Sequence, residues 1–146
     1  MPAAGETIIA GRIPGERVAT NIDAADSSTF TTTEVERASV TAPVVAGRTY
    51  KVVFHGSWAS TVAGDTLFVR IREDSVSGTQ LSLSAFTIDS TTAAGWKQHL
   101  EGEYTADATE DKEFVIGVNR AGGSGNCRLE AGSDHPAYFY VEYLRG

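Results

Sequence analysis

Three histidines, His55, His99 and His135, are the residues of this chain best suited to proton transfer or metal ligation. No two of them stand at an HxH or HxxxH spacing, so joint ligation would require the fold to bring separate segments together. They read as surface or interface histidines. Carboxylates crowd the stretch ADATEDKE, which holds Asp107, Glu110, Asp111 and Glu113, with Glu101 and Glu103 shortly before it. Hard cations such as calcium favour clustered oxygens, but the D-x-D-x-D-G order is missing. The stretch therefore reads as a solvated acidic turn, with a loose calcium site as the alternative. In RIRED, Glu73 and Asp74 follow Arg70 and Arg72 and are expected to pair with them at the surface. No two carboxylates are placed recognisably for glycoside hydrolysis.

Serines are many, but none sits in GxSxG. The stretch GGSGN, residues 122–126, has the glycines of a phosphate-cradling loop without the Lys-Ser/Thr pair or the following helix, and reads as a tight hairpin turn. The single cysteine, Cys127, can form neither an internal disulfide nor a multi-thiolate zinc site. It reads as a small strand residue, or else as a reactive thiol or an intermolecular bridge. This inventory contains no nucleophile–base or acid–base set, so the chain is expected to be non-enzymatic, with no cofactor and no metal.

The aromatics are more informative. Trp58 ends one strand-like segment and Trp96 begins another, while Tyr138, Tyr140 and Tyr143 cluster near the end of the chain. Trp58, Trp96, Tyr138 and Tyr140 are candidate interface or glycan contacts. A sandwich core would use the same residue types.

The elements that must carry these groups are strands. RTYKVVFHGSW alternates Tyr50, Val52 and Phe54 against Lys51, Val53 and His55, and DTLFVRIRED turns Leu67, Val69 and Ile71 away from Phe68, Arg70 and Arg72. GWKQHLEGEYTA places Trp96, Gln98, Leu100 and Tyr104 on one face and Lys97, His99, Glu101 and Glu103 on the other. EFVIGVNR, CRLEAG and HPAYFYVEYLRG continue the pattern. Further strands are predicted over the Thr-rich SSTFTTTEV, over ERASVTAPVV and over TQLSLSAFTI. About eight strands separated by turn residues, with no amphipathic helix, predict an all-β fold. The expected form is an antiparallel two-sheet β-sandwich of jelly-roll-like type.

The 146 residues suit one domain with a real core. Hydrophobic residues make up 41% and charged residues 21%, a balance expected of a soluble globular chain. The formal charge of −7 offers no counterion release from nucleic acid and opposes anionic membranes, so neither is expected as a partner. No apolar run approaches the roughly 20 residues of a membrane span, and the N-terminus lacks the basic and long apolar regions of a signal peptide.

The first sixteen residues behave differently. Pro2, Gly5, Gly11, Pro14 and Gly15 break any periodicity around the apolar TIIAG. Residues 1–16 are expected to be an extended docking arm ahead of a β-sandwich domain at 17–146. Ile8, Ile9 and Ile13 would bury against a neighbour, with Arg12 and Pro14 completing the arm. The alternative is that they fold back on their own sheet.

The phrases AGRIPGERVAT, DSSTFTTTE, AGRTYKVVFHG, DTLFVRIRED, SGTQL, LEGEYTADATEDKEFVIGVNRAGGSG and PAYFYVEYL together resemble a group of small β-sandwich virion proteins of tailed phages that infect actinobacteria. The resemblance covers nearly the whole chain and carries no catalytic set. It implies a structural protein of the virion, assembled in the host cytoplasm. That protein would be a capsid decoration or cement protein held by its arm to the major capsid protein or to a tail protein. It also implies a symmetric homo-oligomer such as a trimer. The alternative is a tail-tip or fibre protein that binds a host-surface glycan.

Overall fold

The computed structural model describes residues 13–89, 91 and 96–146, with the backbone alone at Trp96. Among the described residues nine strands form: β1 (Arg17–Asp23), β2 (Val35–Val44), β3 (Thr49–Ser60), β4 (Asp65–Glu73), β5 (Gln80–Ile88), β6 (Trp96–Thr105), β7 (Glu110–Gly122), β8 (Cys127–Glu130) and β9 (Ala137–Arg145). Every pairing is antiparallel. One sheet runs β1-β9-β3-β6, and β8 takes over from β9 along the far end of β3. The other runs β2-β7-β4-β5. The first four strands alternate between the two layers, which is the strand order of a two-sheet jelly roll.

The period-two patterns become the two faces of each sheet. Tyr50, Val52, Phe54 and Trp58 of β3, Leu67, Val69 and Ile71 of β4, Phe114, Ile116 and Val118 of β7, and Phe139 and Val141 of β9 fill the space between the layers. Each large side chain removed from water contributes about 1.5–3 kcal/mol. Two aromatic polar tips inside this core find partners, although the Gln98 side-chain nitrogen has none. The Tyr50 hydroxyl accepts from the Val45 amide at 2.9 Å, and Trp58 Nε1 donates to Gln98 Oε1 at 2.9 Å.

One expectation about the early chain is corrected. The strand predicted over SSTFTTTEV does not form; the first strand is Arg17–Asp23 instead. Residues 24–34 are a connection pinned at Phe30, whose amide and carbonyl exchange hydrogen bonds with Cys127 at 2.8 and 3.0 Å. Local Thr content favours extended backbone, but apart from the Phe30 bridge the stretch makes only scattered backbone bonds, Ser27 to Leu129 at 2.9 Å and Arg120 to Thr31 at 2.8 Å. Asp26 and Ser27 serve β8 through their side chains, accepting from the Ala131 and Leu129 amides at 3.0 Å each.

The arginines of RIRED do not pair with Glu73 and Asp74. Both reach Glu34 on the outer face of the four-stranded sheet, Arg70 at 2.7 Å and Arg72 at 2.8 Å. Glu34 lies over Gly117, where a side chain would collide with its carboxylate. Glu73 and Asp74 instead hold Lys112 at 3.1 and 2.9 Å, which keeps that ammonium charged far into the alkaline range despite its partial burial. Strand alternation explains the exchange: Arg70 and Arg72 point the same way, toward Glu34.

The stretch GGSGN joins β7 to β8 and wraps a buried carboxylate. Asp65 is fully buried and accepts from Ser60 Oγ at 2.5 Å and from the Ser124 and Gly125 amides at 3.0 Å each. Arg120 donates to the Gly125 carbonyl and adds positive charge nearby. Burial pushes the Asp65 carboxyl up, but these donors outweigh it and hold the group below its ordinary value. Gly123 adopts φ 97°, the left-handed region, and a Cβ there would overlap the carboxylate. The loop does cradle an anion, and the anion belongs to the chain itself.

A histidine-lined cleft as candidate functional site

The outward positions of β3, β6 and β9 converge on an open cleft of about 820 Å³ on the five-stranded sheet. Strand register decides which side chains meet there. His55 of β3 stands directly opposite His99 of β6 on one side and Tyr138 of β9 on the other. Tyr140 lies beside them, and Arg17 enters from β1. The loop before β9 contributes Asp134 and His135, held by a reciprocal backbone bridge between Gly132 and His135.

The contacts form a connected set. His99 Nδ1 and His55 Nε2 are 2.9 Å apart, and His99 Nε2 lies 3.2 Å from Glu101. With His99 neutral and its Nε2–H directed at Glu101, Nδ1 accepts a hydrogen bond from the His55 Nε2–H. With His99 charged, it donates to both neighbours. His55 stacks on Tyr140 with ring centroids 6.3 Å apart and planes 15° from parallel. The Arg17 guanidinium carbon lies 3.7 Å from the Tyr140 ring centroid, a cation–π contact that fixes the ring. His135 Nδ1 meets Asp134 at 2.6 Å, and that contact holds the Asp134 carboxyl below its usual range. Burial, His99 and Arg17 together push the His55 imidazole below its ordinary value, with Glu101 opposing them. The arrangement offers one exposed aromatic ring, Tyr138, with imidazole donors and acceptors and the side chains of Arg17 and Lys97 around one concave surface.

All three histidines thus share one cleft. Sequence spacing could not show this, because His55 and His99 are 44 residues apart. The usable signal was that both fall on the polar phase of their strands. Tyr138, 38% exposed, and Tyr140 both line the cleft. Trp58 is corrected as a contact candidate: it is 0% exposed and packs against Phe30 and Phe54 at 6.1 and 5.8 Å, because its strand phase points inward. The side chain of Trp96 lies outside the described residues.

The arm residues Ile8, Ile9 and Arg12 also lie outside the described residues. Ile13 and Pro14 are exposed, Ile13 at 54%. From Gly15 the chain joins its own sheet. The Gly15 amide donates to the Tyr143 carbonyl, and the Tyr143 amide donates to that of Glu16, both at 2.8 Å.

Cys127 is fully buried and its thiol is pushed up by that burial, so it serves as a small core residue. Among the described residues no three His, Cys, Asp or Glu converge as metal ligands would, the acidic turn before β7 included.

No family model matches the chain, and no curated protein matches it in sequence. Solved structures do. The C-terminal domain of EclA, described as a sugar-binding protein, is 14% identical over 97% of this chain and 87% of its own, with a TM-score of 0.52. The CBM22-1 xylan-binding domain of Paenibacillus barcinonensis Xyn10C is 8% identical over 91% of this chain and 97% of its own, with a TM-score of 0.44. VP2 of the infectious bursal disease virus subviral particle is 15% identical over 88% of this chain and 38% of its own, with a TM-score of 0.48. The likeness to the EclA domain, across nearly all of both chains, is one of fold.

Proposed function

We propose that this chain is a non-catalytic binding module that takes a carbohydrate on the outer face of its five-stranded sheet, as a tail-tip or fibre protein of a phage virion would. The cleft carries this reading. It combines an exposed aromatic, Tyr138, with a fixed one, Tyr140, and surrounds them with the short polar groups that recognise hydroxyls. A sugar ring presents apolar C–H faces and polar edges, and that surface is complementary to both. The sugar-binding protein of the same fold supports the reading, and so does the resemblance to phage virion proteins. The test is glycan-array binding followed by titration calorimetry on the best ligand. Tyr138→Ala should weaken binding at least tenfold while leaving the thermal midpoint unchanged. Unchanged affinity would overturn the assignment of the cleft.

A second reading is that the chain is a decoration protein anchored to another virion protein by residues 1–16. It is favoured by Ile13, an exposed isoleucine where the segment meets the sandwich. Deleting residues 1–12 should leave a folded domain that no longer binds particles, and retained particle binding would refute it.

A further inference from the structure

The geometry points to a carboxylate on the ligand of this cleft: an acidic sugar, of the uronic or sialic acid kind, bound more tightly in mildly acidic solution. The inference rests on the carbohydrate reading above and narrows it.

The chain carries a formal charge of −7, yet basic side chains outnumber acidic ones among the residues that line the cleft. Arg17 and Lys97 line it together with three imidazoles, and its single carboxylate, Asp134, is already engaged by His135. On the same sheet Glu101 has His99, Glu142 has Lys51 and Glu103 has Arg145 as basic partners, while Glu130, in register with Ser57, is buried with one carboxylate oxygen unpartnered. Lys97 has no ion pair among the described residues, and Arg17 spends its face on the Tyr140 ring. Lys97 therefore brings an unpaired positive charge into the cleft that Tyr138 lines. An excess of one sign in a concave site selects ligands of the other sign.

The histidine pair supplies the pH response. His55 is faced by Arg17 from β1, Tyr138 and Tyr140 from β9, and Lys97, His99 and Glu101 from β6. Asp134 and His135 face it from the preceding loop, and Lys51 and Glu142 stand further along the sheet. At 2.9 Å the two rings share one proton between them, and a second leaves two donors opposed. A ligand carboxylate placed over the pair accepts from both and removes that conflict. It also offsets Arg17, which opposes protonation of His55. Binding then takes up a proton, so affinity rises as pH falls, by at most about tenfold per pH unit for each proton. Sugar carboxylates stay ionised at pH 5.5, well above the ordinary carboxyl range.

The experiment is an array of glycans bearing uronic or sialic acid, their methyl esters and neutral glycans, probed with the full chain at about pH 7.5 and about pH 5.5. Retention should be confined to free carboxylates, vanish on esterification, and grow roughly tenfold at the lower pH. Lys97→Ala, at an exposed position, should cut the affinity several-fold at both pH values. His55→Gln should abolish the pH dependence while keeping a measurable affinity. Neutral glycans bound as well as acidic ones, or acidic ones bound equally at both pH values, would overturn this inference and leave the carbohydrate reading standing. No glycan retained at either pH would overturn both.

Discussion

Two regions of this sandwich hold clustered titratable groups, and they treat them in opposite ways. At the junction of β7 and β8, the Asp65 carboxylate is enclosed by a hydroxyl, two backbone amides and a nearby guanidinium, and no water reaches it. In the cleft on the five-stranded sheet, His55, His99 and His135 meet one another at hydrogen-bond distance or across an open space. In the first region the Asp65 carboxylate is satisfied without a ligand, and a buried charge so satisfied specifies structure. The second is incomplete: Lys97 has no counter-charge among the described residues and Tyr138 presents its ring to solvent. What separates a structural cluster from a binding one here is whether the chain itself finishes the hydrogen-bond set.

The largest expected effect lies in the closed region. Asp65→Ala strands two amides and Ser60 in the core and should destabilise the fold by about 3–5 kcal/mol, read by denaturant unfolding. A loss below about 1 kcal/mol would mean that the loop does not depend on its anion. The same group gives an acid limb. Its folded carboxyl lies below the unfolded value, so it stabilises the fold above about pH 4, and that contribution is lost as pH falls further. Asp65→Asn should flatten that limb.

The Glu34 pair tests an intermediate case, a half-buried carboxylate with two guanidinium partners. Glu34→Gln should cost about 1–2 kcal/mol, and raising salt should shrink the difference only weakly.

In the open region the sign reverses. The folded His55 imidazole lies below its ordinary value of 6.5, so the unfolded chain binds more protons around that pH. Without ligand, the fold should lose stability as pH drops through and below about 6.5, and His55→Gln should remove that loss. A flat thermal midpoint for the unsubstituted chain across this window would remove the electrostatic conflict from the cleft. The smallest effect is at Tyr138. Tyr138→Ala should shift stability by no more than about 0.5 kcal/mol, so a larger loss would make that tyrosine structural and blur the contrast between the two regions.

Much of the architecture was legible before any coordinates. The alternation in β3, β4, β6, β7 and β9 assigned the inward faces correctly, and turn residues placed most of the boundaries. Where it failed, long-range pairing overrode local character. SSTFTTTEV has the composition of a strand but meets its neighbour in a single isolated bridge at Phe30, whereas RVATNID, less marked in sequence, pairs with β9 through almost its whole length. Trp58 was legible as aromatic but not as buried. GGSGN was legible as a turn, and nothing local announced that it encloses Asp65, about 60 residues away in the chain.

By itself the sequence determined the class of fold, the period of every major strand and the outward phase of His55, His99, Tyr138 and Tyr140. These follow from side-chain volume and polarity read two residues at a time. Only the tertiary structure decided that these residues share a cleft, that Arg17 lies over Tyr140 and that Arg70 and Arg72 meet Glu34. Which strand lies beside which is fixed by packing two sheets around one core. That choice is made across the whole chain and leaves no trace in the spacing of any one segment.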